Sequence, residues 1–199
     1  MDPRLKHPFT CVLAGPTGCG KTYFVVELIK GSHIHPLPER IIWCYGEWQP
    51  LYEKLPNVEF VEGLNFDIDS GKNTLVVIDD LMHETDERVS KLFTKGSHHR
   101  NMSVIYLVQN LFGKNKEHRT ISLNSHYLTV FKNPRDASQI THLAKQMYPR
   151  NVKYVQEAFA DATSQPHGYL FVDLKQETPD HLRLRANVLK TCQTVYLQK

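Results

Sequence analysis

The run Gly15-Pro16-Thr17-Gly18-Cys19-Gly20-Lys21-Thr22 fits G-x-x-x-x-G-K-[ST] without a mismatch, and its flanks restrict what the rest of the chain can become. Phe9 to Ala14, before it, is a short apolar, β-prone stretch. Tyr23 to Lys30, after it, is long enough for about two helical turns. Strand, glycine loop and helix in that order turn the pattern into a phosphate site. The glycines let backbone N–H groups converge on phosphate oxygens with no Cβ in the way, and the helix N-terminus adds its partial positive charge. The whole loop from Gly15 to Thr22 is therefore expected to cradle a nucleotide. Lys21 reaches the β- and γ-phosphates of ATP, and the Thr22 hydroxyl can ligate Mg²⁺.

Thr74-Leu75-Val76-Val77-Ile78-Asp79-Asp80 is a β-rich run ending in two carboxylates. Four aliphatics in a row suit a parallel strand buried on both faces. A carboxylate at the carboxyl end of such a strand lies beside the phosphate loop. Asp79 is expected to hold Mg²⁺, directly or through water, and Asp80 to poise a water for attack on the γ-phosphate. The alternative is a pair of strand-end carboxylates that cap the next helix. Ser103 to Asn110 is a further apolar strand ending in amides. Gln109 there can bridge the attacking water and the γ-phosphate, or it can satisfy buried backbone groups. Arg100, just before this strand, reads either as a surface residue in a polar turn or as an arginine finger entering a neighbouring subunit's site.

A chain of 199 residues is most simply one domain, and a phosphate-loop sheet with its helices fills most of it. The expected division is an arm over 1–8, an ATPase core over 9–136, and C-terminal helices with a closing hairpin over 137–199. Net charge is +3, which permits an anionic partner without demanding one. The four cysteines, Cys11, Cys19, Cys44 and Cys192, form no C-x-x-C pair, which argues against a disulfide framework and against a zinc ribbon. The first eight residues lack the pattern of a secretory signal, and no apolar run approaches the roughly 20 residues that span a bilayer. The chain reads as soluble and intracellular, without a membrane partner.

Along the chain, strands and helices alternate: strands at 9–14, 40–45, 58–61, 74–80, 103–110 and 127–131, and helices after Thr22, over 49–55, 81–95, 136–148 and 152–162. Leu111 to Ser122 reads as a basic loop. Gly168 to Leu174 and Leu182 to Val188 read as a hairpin. This order predicts an α/β fold of the P-loop NTPase class, with a mainly parallel central sheet between helices and antiparallel strands at the C-terminus.

Three segments together resemble the FtsK–HerA superfamily of DNA-pumping ATPases: Gly15 to Thr22, Leu75 to Asp80, and His99-Arg100-Asn101-Met102-Ser103-Val104-Ile105-Tyr106-Leu107-Val108-Gln109-Asn110. The nearer resemblance is to the small packaging ATPases of poxvirus-like viruses and of Maverick/Polinton elements and adintoviruses. It covers roughly Phe9 to Asp136. It implies an ASCE, RecA/FtsK-like core, a homo-oligomeric ring, and ATP hydrolysis that drives double-stranded DNA through the central hole into a capsid, in the host nucleus or cytoplasm where virions assemble. It gives Arg100 the role of finger in trans, Gln109 that of γ-phosphate sensor, and Asp80 that of base. Asp80 stands where Glu is commoner, one methylene shorter, so its water must be approached more closely. The extra domains of FtsK and HerA have no counterpart here, which points to the minimal viral type.

Contact with DNA falls to other residues. Lys114, Lys116 and Arg119, with His118, cluster just past Gln109 and can grip phosphates without reading sequence, or can be solvated charge. Arg183 and Arg185 alternate along a strand and form a second candidate. The competing functions are a P-loop small-molecule kinase, which usually lacks an acid next to the Mg²⁺ carboxylate and needs an Arg-rich lid, and another nucleic-acid motor or helicase.

Overall fold

The structure is a computed structural model that describes residues 4–67, 71–79, 81, 86–96, 101–113 and 116–198. Eleven strands occur among these residues: β1 (Leu5–Lys6), β2 (Thr10–Ala14), β3 (Ile34–His35), β4 (Arg40–Tyr45), β5 (Glu59–Glu62), β6 (Thr74–Asp79), β7 (Met102–Val108), β8 (Tyr127–Phe131), β9 (Tyr169–Asp173), β10 (Leu184–Ala186) and β11 (Thr194–Val195). The α-helices are α1 (Lys21–Lys30), α2 (Asp86–Lys91), α3 (Lys116–Leu123), α4 (Ser138–Met147) and α5 (Val152–Ala162). Pro50–Lys54 forms a 3₁₀ turn.

Nine strands join one sheet in the order β11-β10-β9-β8-β2-β7-β6-β4-β5. From β8 to β5 every pairing is parallel, and β9, β10 and β11 add on in antiparallel fashion. This is the architecture expected from the alternation of strands and helices. An ASCE-type core has one strand between the phosphate-loop strand and the carboxylate strand, and β7 occupies that place between β2 and β6.

Side chains alternate between two buried layers, as the pleat requires. Cys11 and Leu13 of β2, Leu75 and Val77 of β6, and Ile105 and Leu107 of β7 pack on one face with Phe24, Val25 and Leu28 of α1. Val12, Val76, Ile78, Val104 and Tyr106 pack on the other face with Val89, Ile121, Leu143, Val155 and their neighbours from α2 to α5. Burying both faces explains why the central strands are continuous apolar runs. It also pushes the Cys11 and Cys44 thiols up to about 12 by desolvation.

One sequence expectation changes. The stretch from Leu111 to Ser122 is not a loop throughout, because α3 begins at Lys116 and buries Ile121 against the sheet. One apolar residue at a helical position is a weak periodic signal, so only the sheet's need for cover on that face reveals it. The N-terminal arm is tied down. β1 pairs in parallel with β3, and Leu5 is buried.

Candidate active site

The phosphate loop leaves the sheet where β2 ends. Gly15 N donates to Val108 O at 3.1 Å, one step beyond the pairing of Ala14 with Val108, so the loop starts beside the end of β7. A Cβ on Gly15 would lie 2.7 Å from both Cys19 Sγ and Phe131 Cβ, so no side chain fits there. Gly20 sits at φ 109 as the residue before α1, a backbone angle that L side chains rarely adopt. The loop closes on itself through Cys19 N donating to Pro16 O at 3.2 Å, and α1 starts with Phe24 N donating to Gly20 O at 2.9 Å. The N-terminus of α1 is thus aimed along the loop, the arrangement that favours an anion.

Lys21 Nζ donates to the carbonyls of Gly15 (2.6 Å) and Pro16 (3.0 Å), which holds the ammonium over the loop. Thr22, one residue on, points toward β6 and donates through Oγ1 to Asp79 Oδ2 at 3.2 Å. Tyr52 from the 3₁₀ turn donates its hydroxyl to the same oxygen at 2.9 Å. Asp79 is only 4% exposed, and a buried carboxylate needs such donors. A hydroxyl and a carboxylate held this close are hard oxygen donors. Together with phosphate oxygens they are the set that Mg²⁺ takes, so the residues fit that ion.

Asp79 pairs with Leu107, and Gln109 lies two residues beyond that partner at the carboxyl end of β7. Gln109 is exposed and lines the same cleft as Lys21, Thr22 and Asp79. The chain after it is pinned by Gln139 of α4, whose Oε1 accepts from Leu111 N at 2.7 Å and whose Nε2 donates to Asn110 Oδ1 at 3.1 Å. The ends of three adjacent parallel strands therefore deliver the loop, the amide and the carboxylate to one place.

The cleft measures about 1010 Å³, at the upper end of the range for small-molecule sites, and so has room for a whole nucleotide. Its far wall comes from the C-terminal third: Asp161, Ser164, His167, Asn187, Lys190 and Tyr196. His167 Nδ1 lies 3.2 Å from Cys19 O. A carbonyl only accepts, so the ring nitrogen is the donor and couples this wall to the phosphate loop. Tyr196 is anchored by its hydroxyl to Asp161 Oδ2 at 2.6 Å, and its carbonyl accepts from Tyr154 Oη at 2.7 Å. Burial raises the Cys19 thiol above its ordinary value, and the Lys21 charge opposes this only in part. Sequence reading identified neither this wall nor Tyr52. Both reach the site from remote segments, and neither carries a motif.

Of the other candidate residues, Asp80, Arg100 and Lys114 lie outside the described residues. Lys116 and Arg119 are exposed and three residues apart on α3, a spacing that puts them on one helix face. The proposal of Arg183 and Arg185 as a DNA-gripping pair does not fit. Arg185 Nη2 donates to Asp173 Oδ2 at 3.0 Å, with side-chain exposures of 11% and 6%, and its guanidinium lies 5.0 Å from the Phe171 ring centroid. Arg183 lies outside β10, bonding Asp180 at 2.7 Å and the carbonyls of Asp173 and Lys175 at 3.1 and 2.9 Å. These guanidiniums are spent on holding β9, β10 and the turn between them.

No family model and no curated protein matches the chain. Solved structures do match. The genome packaging NTPase B204 from Sulfolobus turreted icosahedral virus 2, in complex with sulfate, superimposes with a TM-score of 0.58 at 13% identity over 88% of this chain and 94% of that one. The same NTPase in complex with ATP-gammaS gives 0.57 at 13% identity, over 89% and 96%. The pCW3 conjugation coupling protein TcpA, in its monomer form with ATPgS, gives 0.54 at 12% identity, over 92% of this chain and 61% of that one. A phosphate loop at the centre of a sheet in this strand order, together with these superpositions, identifies the fold as that of an α/β P-loop NTPase, shared with the packaging NTPase B204 and with TcpA.

Proposed function

We propose that this protein is a Mg²⁺-dependent ATPase that moves double-stranded DNA, and that it packages the DNA of a virus or virus-like element into a capsid. The observation that carries the reading is the convergence of Lys21, Thr22, Asp79 and Gln109 on one cleft. Its fold likeness to a packaging NTPase and to a conjugation coupling protein supports DNA as the cargo. Bound Mg²⁺ would supply positive charge that offsets the charge of the phosphates. Thr22 and Asp79 hold it, Lys21 grips the β- and γ-phosphates, Asp80 takes the proton of the attacking water, and Gln109 orients that water. Arg100 completes a neighbouring subunit's site, which makes a ring the active form. Lys116 and Arg119, with Lys114, grip the DNA backbone.

The test is phosphate release from Mg-ATP with and without duplex DNA, alongside particle mass. The reading requires turnover that duplex DNA raises and a multi-subunit particle when nucleotide is present. Absence of turnover under both conditions, or transfer of the γ-phosphate only to a small acceptor, overturns it.

A further inference from the structure

The Asp79 carboxylate does not rest on Thr22 alone, and the second support comes from a part of the chain with no phosphate-site motif. Tyr52 is 1% exposed and reaches the same Asp79 Oδ2 as Thr22, at 2.9 Å against 3.2 Å for Thr22 Oγ1. Its ring packs against Trp43 and Phe60, at centroid separations of 5.1 Å each, with Trp48 edge-on at 5.3 Å. Close packing of the ring directs its hydroxyl at the carboxylate. The Pro50–Lys54 turn that carries it contacts α1, the helix of Thr22. Two hydroxyls on a single carboxylate oxygen fix the plane of the carboxyl group, and with it the direction of both oxygens. Donors behind a metal ligand commonly set metal affinity in this way.

We propose that Tyr52 is the positioning residue of the Mg²⁺ site. Its hydroxyl holds Asp79 in the orientation that receives the ion, and so sets the metal affinity of the phosphate site. This deepens the ATPase reading and rests on Asp79 as the metal ligand. Tyr52→Phe keeps the ring and the cluster and removes only the donor.

The measurement is calorimetric affinity for a non-hydrolysable ATP analogue across a Mg²⁺ series. The Mg²⁺ concentration that gives half of the affinity gain should rise about tenfold in Tyr52→Phe, while affinity without Mg²⁺ stays as in the wild type. Trp48→Phe, which alters the same cluster without touching Asp79, should leave the Mg²⁺ requirement unchanged. An unchanged requirement in Tyr52→Phe overturns the proposal, and so does an equal shift in Trp48→Phe, which would assign the effect to packing. A wild type whose analogue affinity ignores Mg²⁺ overturns it too. A wild type that binds Mg²⁺ and the analogue but turns over no ATP sinks the ATPase reading and leaves the role of Tyr52 standing.

Discussion

The Lys21 ammonium lies 2.6 Å from the Gly15 carbonyl oxygen, so the cation that serves the phosphates is oriented by the backbone of its own loop. The loop thus sets the position of the charge as well as the direction of its N–H groups. Lys21→Ala removes a charge-assisted contact worth about 1.5–3 kcal/mol, so nucleotide affinity should fall by a factor of roughly ten to a hundred. Turnover should fall below detection, while the melting temperature changes little because the side chain is only half-buried. Calorimetry and phosphate release check both. Near-normal turnover would remove the basis for treating this loop as catalytic.

The two strand-end carboxylates should fail differently. Asp80→Asn should bind Mg-ATP normally and turn over at least about a hundredfold more slowly, the scale of losing a general base. Asp79→Asn leaves two hydroxyl donors facing a neutral amide and should instead weaken nucleotide binding only when Mg²⁺ is present. If the two phenotypes are exchanged in single-turnover and binding measurements, the roles of the two residues are exchanged as well.

A finger acting in trans makes activity per subunit rise with protein concentration. Arg100→Ala should abolish that rise with ATP binding intact, at a cost on the order of a thousandfold in turnover. Arg100→Ala and Lys21→Ala subunits should each be inactive alone. Mixed, they should recover part of the activity, because one supplies an intact loop and the other an intact finger. Full activity of Arg100→Ala by itself would return that residue to an ordinary surface role.

Two sets of basic residues should separate cleanly. Replacing Lys114, Lys116 and Arg119 by Ala should weaken duplex binding on all sequences alike and flatten its salt dependence, with basal hydrolysis preserved. Asp173→Ala should leave the Arg185 charge buried without its carboxylate and cost about 3 kcal/mol in chemical denaturation. Its effect on DNA should be no greater than the loss of folded protein explains. A DNA defect in a fully folded Arg185→Ala protein would contradict the structural role assigned to that pair.

Local chemistry decided much of this in the sequence itself. The phosphate loop is contiguous, and its glycines, its lysine and its flanking strand and helix answer to one local requirement, the approach of backbone to phosphate. The apolar runs ending in Asp79 and Gln109 were readable because a strand buried on both faces has no room for polar residues until it emerges. Helix α5 was legible from end to end, and its structure shows why: the Asn151 cap, which accepts from Tyr154 N at 3.3 Å, is local. Tertiary structure decided what depends on distant partners. Arg185 looks like a surface cation in sequence, and only the pairing of β10 with β9 turns it onto Asp173. Tyr52 looks like one aromatic among many, and only the crossing from β4 over α1 brings its hydroxyl to Asp79. His167 sits 148 residues from Cys19 and meets it through the sheet. A motif records what the backbone does within a few residues, whereas the orientation of a carboxylate and the wall of a cleft are set by contacts that only the folded chain makes.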